Sequence, residues 1–466
     1  MRGFCLLLVI SIIVMLLFLS MEHLAERPGW PAFKGRERSR GEDGLFDSNT
    51  SLFQKKGAVF SPAHKTDLVE SPKSSGFTTP KRDQRPKSPN PETPIPVISR
   101  KSFTKLPHWD FDDNYGQDAP PKHTKCSRSL RTSKDEAFQK AFLPNIRLFL
   151  HKDNINNSEW NRLSHFNNPF GFMDFKYEDV MPSLKLIPEP REPLLPPKPG
   201  GDVCIHCAVV GAGGILNGSK MGAEIDAHDY VFRVNGAVIK GHEEDVGNRT
   251  SVYVHTAHSI TASLNIFKKY GYTSAPHDEG IKYVLIPEGM RDFQWLQGLL
   301  KGENVSTGQY KNKEPRVYYS GQYNESRFYV LHQDFLRYVR NRFLMSKNLN
   351  STYWALVRPT NGAFSLFLAL HTCDTVSAYG FMTEGYKKYS NYYFEKLVKS
   401  NVIFFINHDY NMEKDLWKSL HDRKIIKLYQ GTGSHDEGEK LNTDTTKMSI
   451  MAHSENLTSN ASPVKN

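Results

Sequence analysis

The sequence predicts an α/β protein, a single Rossmann-like domain with a mostly parallel sheet and helices on both faces. Three observations predict this class. Short apolar runs typical of strands alternate with helical patterns between residues 203 and 429, the first run breaks into a glycine-rich turn, and polar turns separate the units. Such alternation usually builds a parallel sheet, because each crossover helix returns the chain to the same end of the sheet. Ligands of these sheets bind at the carboxyl ends of the strands.

The first predicted strand covers 203–210 and leads into the turn Gly211-Ala212-Gly213-Gly214. A short helix over 219–229 and a second strand over 230–235 complete a βαβ unit. A glycine-rich turn of this kind can bring backbone N–H groups against a phosphate. The spacing is not that of dinucleotide-binding motifs, and glycines also serve any tight turn. Taken alone, the turn is equally compatible with nucleotide binding and with a purely structural role.

Strands and helices continue to alternate after this unit. The pattern predicts strands over 251–256, 283–286, 316–319, 328–331, 375–379 and 402–406, helices over 260–270, 292–300, 334–343, 361–373 and 412–421, and a closing apolar run over 425–429. Asp334 is expected to cap the helix over 334–343. Helical and irregular apolar stretches, at 138–150 and 160–175, are expected before the sheet.

Both ends of the chain are predicted to lie outside the folded domain. Residues 1–3 are expected in the cytosol, and the apolar stretch 4–21 after Arg2 is typical of an uncleaved signal anchor in the membrane. Residues 22–122 are rich in Pro, Ser, Lys and Arg and are predicted to be a disordered luminal stem, because so few apolar residues cannot offset the entropy cost of folding. The domain is expected over 123–430, and a disordered polar tail over 431–466.

The net charge of +10 is compatible with a nucleic acid, a membrane surface or an anionic substrate as partner. Much of the positive charge lies in the predicted stem, and the predicted anchor places the remainder in an oxidising lumen, so no nucleic-acid partner is predicted. In that compartment the N-x-S/T sequences are candidate glycan sites, at Asn49, Asn156, Asn217, Asn248, Asn304, Asn324, Asn350, Asn456 and Asn460. Asn217 and Asn248 are doubtful because they fall inside the central motif.

Four cysteines lie outside the predicted anchor, namely Cys126, Cys204, Cys207 and Cys373. In an oxidising lumen they suffice for two disulfides, and a zinc site built from all four is the alternative. Cys204 and Cys207 stand three apart on a predicted strand, so their side chains point to opposite faces. This geometry favours pairing each of them with a distant cysteine.

Three polar sequences at strand ends or helix starts could carry chemistry. Arg358-Pro359-Thr360-Asn361-Gly362 opens an apolar helix, where it could hold a phosphate or ribose or simply cap the helix. The aromatic cluster at 391–395 could donate phenol hydroxyls to an anion, although buried packing explains it better. His408 follows the predicted strand over 402–406 and suits proton removal from a hydroxyl near neutral pH. Glu413 stands where a carboxylate is also favourable as a helix cap.

These sequences, taken in order, resemble the four motifs of the animal sialyltransferase family. Residues 207–237 with 245–247 resemble the large sialylmotif, 358–362 with 371–381 the small motif, 392–395 the third motif, and His408 with Glu413 the very small motif. Within the family, the sequences at 209–217, 228–233 and 378–381 are most similar to the GalNAc α-2,6-sialyltransferases of types 1 and 2. The long stem is similar to that of type 1.

The resemblance implies a glycosyltransferase domain, a GT-A-like variant, in a single-pass type II protein of the Golgi membrane whose catalytic domain faces the lumen. It implies CMP-sialic acid as donor and the GalNAc of O-linked mucin-type glycoproteins as acceptor. The transfer would be inverting, would form an α-2,6 bond and would need neither metal nor cofactor. A catalytically weak or inactive luminal protein that binds a glycan or nucleotide is the alternative.

Carried onto this chain, the resemblance assigns His408 to take the proton from the acceptor's 6-hydroxyl and Tyr392 to donate to the departing phosphate. It implies that the substrate is bound by Gly211, Ala212, Gly213, Asn235, Thr256, Thr360, Asn361, Gly362 and Glu413. It also implies a disulfide between Cys207 and Cys373, which leaves Cys126 to pair with Cys204.

Two residues depart from the family pattern. Ala212 stands where relatives usually carry Asn or Ser, and one lost hydrogen bond there would weaken donor binding about two- to tenfold. Asn361 stands where close relatives carry Thr or Ser, and it can still donate and accept.

A metal-dependent transfer is the competing interpretation. Many sugar-transferring enzymes bind a divalent ion through an Asp-x-Asp pair, and Asp110-Phe111-Asp112-Asp113 offers one. This sequence lies in the predicted stem, before the sheet, so a solvated acidic turn is favoured and no metal site is predicted. The negative charge on the leaving group would then be stabilised by helix N-termini, N–H groups and neutral or cationic side chains.

Overall fold

The structure is a computed structural model that describes residues 93–119, 124–196, 203–395 and 399–431. The predicted anchor, most of the predicted stem and nearly all of the predicted tail lie outside these residues. Among the residues that are described, no helix combines the length and the apolar character needed to cross a bilayer.

Seven strands form one parallel sheet in the order β5-β4-β3-β2-β1-β6-β7. They are β1 (His206–Val210), β2 (Tyr230–Val234), β3 (Val252–His255), β4 (Lys282–Leu285), β5 (Phe328–Val330), β6 (Thr375–Tyr379) and β7 (Lys427–Leu428). The chain winds outward from β1 to β5 and then returns to the other side of β1 for β6. The direction of winding therefore reverses between β1 and β6, and the crevice beyond the carboxyl ends of these strands is where such a sheet binds ligands.

The helices of the described residues are α1 (Glu136–Ala141), α2 (Asn157–Leu163), α3 (Tyr177–Leu184), α4 (Gly222–Asp226), α5 (Glu243–Val246), α6 (Ala257–Ile266), α7 (Met290–Lys301), α8 (Gln333–Arg342), α9 (Asn361–Thr372) and α10 (Tyr410–Asp422). Helix α9 is apolar nearly all round, is buried from Ala363 to His371, and packs across the central strands. A helix that is apolar on every face can only be accommodated inside a core. Its burial places the start of α9 beside the carboxyl ends of the strands.

Two disulfides join the four cysteines, Cys207 to Cys373 and Cys126 to Cys204. Both predicted pairs are confirmed, and the zinc alternative is excluded for these sulfurs because each is already covalently bound. The first bond links β1 to the residue that follows α9, so the central strand and the central helix are covalently tied.

Two predicted strands are wrong. The segment at 316–319 lies within a 3₁₀-helix, Pro315–Tyr319, whose first position is a proline, a residue preorganised to begin a helical turn. The segment at 402–406 is irregular and exposed, with Phe404 and Phe405 each 43% accessible. The edge of the sheet beyond β6 is taken instead by β7, so the apolar run before His408 has no strand to pair with.

The cap of α8 also differs from the prediction. The His332 side chain, not that of Asp334, accepts the hydrogen bond of the first turn, from the N–H of Asp334 at 3.1 Å. Asp334 instead receives the guanidinium of Arg162, at 2.6 Å. The charge-assisted hydrogen bond from Arg162 is stronger than a cap bond to an N–H, so the Asp334 carboxylate binds Arg162 instead.

Residues 93–119 pack on the domain, so the predicted stem boundary at 122 lies too far along the chain. Trp109 and Tyr115 belong to the main hydrophobic core, and the N–H of Ile95 donates to the Asn161 side chain at 2.8 Å. This stretch has few apolar residues, but a few of them are large aromatic side chains, each of which buries a large area.

The acidic sequence at 110–113 is only partly solvated, because Asp110 is buried while Asp112 and Asp113 are exposed. Asp110 is fully buried and its carboxylate pairs with Arg340 of α8, while Asp113 binds Arg342 at 2.6 Å. The side chain of Asn341 donates to the Asp110 carbonyl at 2.8 Å. The buried aspartate is therefore stabilised by a guanidinium, and it anchors the segment to α8.

Replacing Asp110 with alanine should destabilise the protein by about 3–5 kcal/mol, because Arg340 would remain buried without its counter-charge. The matched control is Asp112→Ala, at an exposed neighbouring carboxylate, which should change stability by no more than about 0.5 kcal/mol. Urea unfolding of the two variants and the wild type measures the difference. Equal midpoints for all three would show that the segment does not depend on this ion pair.

Candidate active site

The glycine-rich turn after β1 is held by β6. The N–H of Gly211 donates to the carbonyl of Tyr379 at 2.8 Å, and the N–H of Gly213 donates to the carbonyl of Gly380 at 2.9 Å. These two N–H groups are therefore not available to a phosphate, because both are already bonded within the protein. The prediction that Gly211 and Gly213 bind the substrate stays a prediction. Such binding would have to involve atoms of these residues other than their N–H groups.

The glycines of this turn permit close backbone approach. A Cβ on Gly213 would lie 2.5 Å from the Gly380 carbonyl oxygen, and one on Gly214 would lie 2.0 Å from that of Ser390. Gly380 itself has a φ of +69°, which favours glycine. The ends of β1 and β6 and the segment before Tyr392 thus meet at one point. Ala212, half-buried between the two glycines, accepts the N–H of Tyr393 on its carbonyl at 3.1 Å.

Asn235 and Asn361 face each other across the crevice. Asn235 follows β2 in the left-handed conformation, with a φ of 56°, and its Oδ1 accepts from Nδ2 of Asn361 at 3.0 Å. Oδ1 of Asn361 is buried and has no partner among the described residues, which leaves a fixed acceptor beside the start of α9. Gly362 follows, and a Cβ there would make only ordinary contacts, the nearest at 3.4 Å, so packing does not require this glycine.

Thr256 stands at the carboxyl end of β3, and it is buried. Its Oγ1 accepts the N–H of Ser259 at 2.9 Å, and Ser259 bonds back to the Thr256 N–H. This reciprocal capping box fixes the start of α6. The structure therefore shows a capping role for Thr256, and substrate contact stays a prediction.

Half-buried Thr360 and buried Glu413 form a pair at the start of α9. One carboxylate oxygen of Glu413 accepts the N–H of Thr360 and the other accepts its hydroxyl, both at 2.7 Å, while Thr360 Oγ1 caps the N–H of Ala363. Burial raises the pKa of Glu413 to about 7, against the lowering effect of both Thr360 bonds. Asp409 caps α10, the helix that carries Glu413, so Glu413 instead fixes the start of α9.

His408 is half-buried, and the backbone carbonyl of Arg358 lies 2.9 Å from its Nδ1. A carbonyl can only accept, so Nδ1 carries the proton and the lone pair is on Nε2. Burial and the Arg358 cation lower the pKa of His408 to about 4. The imidazole is therefore neutral near pH 7 and can accept a proton.

Tyr392 lies against the glycine-rich turn, bridged to Gly213 through the backbone. Its ring stacks on Phe394 with centroids 5.0 Å apart and meets the edge of Phe267. Burial raises the pKa of Tyr392, so the phenol keeps its proton and remains a hydrogen-bond donor. The packing that favoured a structural interpretation is present, and donation from the phenol to a phosphate stays a prediction.

A group of charges, two of them outside the sequence motifs, lies beside His408. Glu288 follows β4 and accepts from Arg358 at 3.0 Å and from Arg291 at 2.9 Å. Burial acts to raise the pKa of Glu288, but the two guanidiniums outweigh it and hold the pKa below its ordinary value. The position of Glu288 after a predicted strand was a usable signal, whereas its partners come from distant parts of the chain.

One cluster among the described residues has the spacing of metal ligands, Glu159, His332 and Asp334. Arg162 donates to both carboxylates of this cluster, at 2.6 Å to each. The guanidinium occupies the position that a cation would need, so the cluster is a structural ion pair between α2 and α8.

The sequence is similar to those of known proteins. The profile described as glycosyltransferase family 29 (sialyltransferase) matches residues 149–425. The chain is 46% identical to alpha-N-acetylgalactosaminide alpha-2,6-sialyltransferase 1 of Gallus gallus, over 75% of this chain and 65% of that protein. It is 43% identical to the Homo sapiens protein of the same name, over 77% of this chain and 62% of that protein. The match thus spans less than two thirds of either relative.

Two further comparisons cover more of the matched protein. Alpha-N-acetylgalactosaminide alpha-2,6-sialyltransferase 2 of Mus musculus is 40% identical, over 73% of this chain and 91% of that protein. A crystal structure of a mammalian sialyltransferase has a TM-score of 0.48 at 22% identity, and covers 66% of this chain and 99% of that chain.

The Glu413 carboxylate should make stability fall as the pH rises from about 4.5 to about 7. In this range the folded protein keeps a proton that the unfolded chain has released, so raising the pH favours unfolding. Glu413→Gln should remove this contribution. The free energy of unfolding of the variant, relative to that of the wild type, should therefore be higher at pH 8 than at pH 5. Urea unfolding at both pH values measures the change.

Glu303→Gln, at an exposed carboxylate, is the control and should leave the pH dependence as it is in the wild type. A Glu413→Gln variant whose stability follows the wild type at every pH would show that this carboxylate titrates normally.

Proposed function

The chain belongs to glycosyltransferase family 29, the sialyltransferases, and on this premise we propose that it transfers sialic acid from CMP-sialic acid in α-2,6 linkage to the GalNAc of O-linked glycoproteins. The single observation that carries the proposal is the protonation state of His408. Its imidazole is neutral, its Nδ1–H donates to a backbone carbonyl, and its Nε2 is free to act as base. The names of the relatives at 40–46% identity support the linkage and the acceptor.

The donor would lie in the crevice between β1 and the start of α9. There the N-terminal end of α9 offers its partial positive charge to a phosphate, and Asn235 and Asn361 offer amide groups to the nucleotide. Thr360 holds this end in place through Glu413. Ala212 contributes no side-chain hydrogen bond, so donor affinity should be about two- to tenfold below that of a relative with Ser or Asn there.

The reaction would be a direct displacement. Nε2 of His408 takes the proton of the acceptor's 6-hydroxyl as that oxygen attacks the anomeric carbon of sialic acid. The bond from this carbon to the phosphate oxygen breaks on the opposite face, and CMP leaves with the electron pair, so the configuration inverts. Tyr392 would donate its hydroxyl proton in a hydrogen bond to the departing phosphate.

We propose that the leaving charge is met by Tyr392 and the start of α9 without a metal ion or cofactor. We also propose a Golgi location, with residues 4–21 as a membrane anchor and the catalytic domain in the lumen. Two disulfides support an oxidising compartment, because such bonds are rare in reducing ones.

A transfer assay with the full chain in detergent tests the proposal. Incubation with CMP-sialic acid should sialylate a GalNAc-bearing glycopeptide at the 6-position, and EDTA should not slow the reaction. A second acceptor with galactosylated GalNAc shows which acceptor is preferred. A folded protein without transfer would favour the alternative of an inactive glycan- or nucleotide-binding protein, and loss of transfer in EDTA would favour a metal-dependent enzyme.

His408→Ala should lower kcat by about 10²–10⁴-fold and leave the KM for the donor nearly unchanged, because only the proton acceptor is removed. The wild-type value of kcat/KM should fall on the acid side only as the pH approaches about 4, where His408 becomes protonated. Steady-state rates across pH 4–8 check both statements. Transfer by the variant at the wild-type rate would rule out His408 as the base.

A further inference from the structure

Glu288 is the one carboxylate in the turn between β4 and α7 that contacts the segment holding the base. Its side chain is only 8% exposed. One oxygen accepts from Nε and Nη2 of Arg358, at 3.2 and 3.0 Å, and the other accepts from Nη2 of Arg291 at 2.9 Å. The carboxylate thus joins α7 to the segment that leads into α9.

Arg358 connects this carboxylate to His408. Its side chain is held by Glu288, its carbonyl receives Nδ1 of His408 at 2.9 Å, and its N–H donates to the carbonyl of Asn407 at 2.9 Å. Two residues later, Thr360 is held by Glu413. The segment 358–360 is therefore fixed at both ends by a carboxylate, and the carbonyl that orients the base lies between these two attachments.

We propose that Glu288 is a positioning residue for His408. By fixing the Arg358 side chain, Glu288 holds the Arg358 carbonyl where it receives Nδ1–H, and the lone pair of Nε2 is thereby directed at the acceptor hydroxyl. Glu288 also balances the positive charge of Arg358 next to the base. The inference rests on the proposed function, since it assigns a role in the same transfer, but it concerns a residue outside the four sequence motifs.

A base that is displaced by a fraction of an ångström loses much of its rate advantage, since proton transfer needs hydrogen-bond reach. Glu288→Gln keeps the size of the side chain and removes its charge. It should lower kcat by up to about a hundredfold and leave the KM for CMP-sialic acid unchanged, because the hydrogen bonds of Glu288 go to Arg291 and Arg358 and not to the residues assigned to the donor. Glu303→Gln, beyond the other end of α7 and exposed, is the matched control and should behave as the wild type.

A merely structural role for Glu288 would also lower the rate, so the decisive measurement is made without the base. In a His408→Gln background, adding Glu288→Gln should cause no further loss of kcat, because there is no imidazole left to position. A structural role predicts the same fold-loss in both backgrounds. Arg358→Met should reproduce the loss caused by Glu288→Gln, and the double variant should be no slower than Arg358→Met alone.

The outcomes separate this inference from the proposed function. An active wild type with equal fold-losses in the two backgrounds, or an unchanged kcat for a folded Glu288→Gln variant, overturns the positioning role and leaves the proposed function standing. A wild type that transfers no sialic acid overturns the proposed function and the inference with it. A loss confined to the background that contains His408 supports the inference.

Discussion

The contact between Glu413 and Thr360 is the interaction on which the rest of the site depends. Both carboxylate oxygens of Glu413 are used to hold Thr360, and Thr360 in turn caps α9. Where α9 begins decides where Asn361 meets Asn235. It also decides where Arg358 offers its carbonyl to His408. One hydrogen-bonded pair thus sets the relative position of the two halves of the site.

The two carboxylates beside this segment are buried to a similar degree, but their ionisation differs. Burial raises the pKa of Glu413 to about 7, because the lowering effect of its two neutral partners, the hydroxyl and the N–H of Thr360, is too small to offset burial. Glu288 faces two guanidiniums, which outweigh burial and hold its pKa below the ordinary value. Glu413 therefore holds Thr360 and Glu288 holds the Arg358 side chain, so the two carboxyl groups fix the two ends of the segment 358–360. In the proposed transfer, such preorganisation would reduce the motion needed to bring His408 to the acceptor.

Sequence patterns predicted well where the local signal and the tertiary setting agree. The strand over 375–379 has the predicted bounds and α9 differs from its prediction by one residue, because buried apolar segments have no alternative location. The run at 402–406 has equally strong strand character, yet it is exposed and unpaired because β7 takes the place beside β6. The segment at 93–119 was assigned to the stem on its composition, although Trp109 and Asp110 anchor it to the domain.

The sequence by itself determined the order of the motifs, the α/β class, the two disulfide pairs through the family resemblance, and the identity of His408 as the candidate base. Only the tertiary structure decided what each group is bonded to. The N–H groups of Gly211 and Gly213 turned out to tie β1 to β6, and Glu288 turned out to hold Arg358. The physical reason is that residue type and spacing report local conformation and burial, whereas the partner of a buried polar group is chosen by segments far away in the chain.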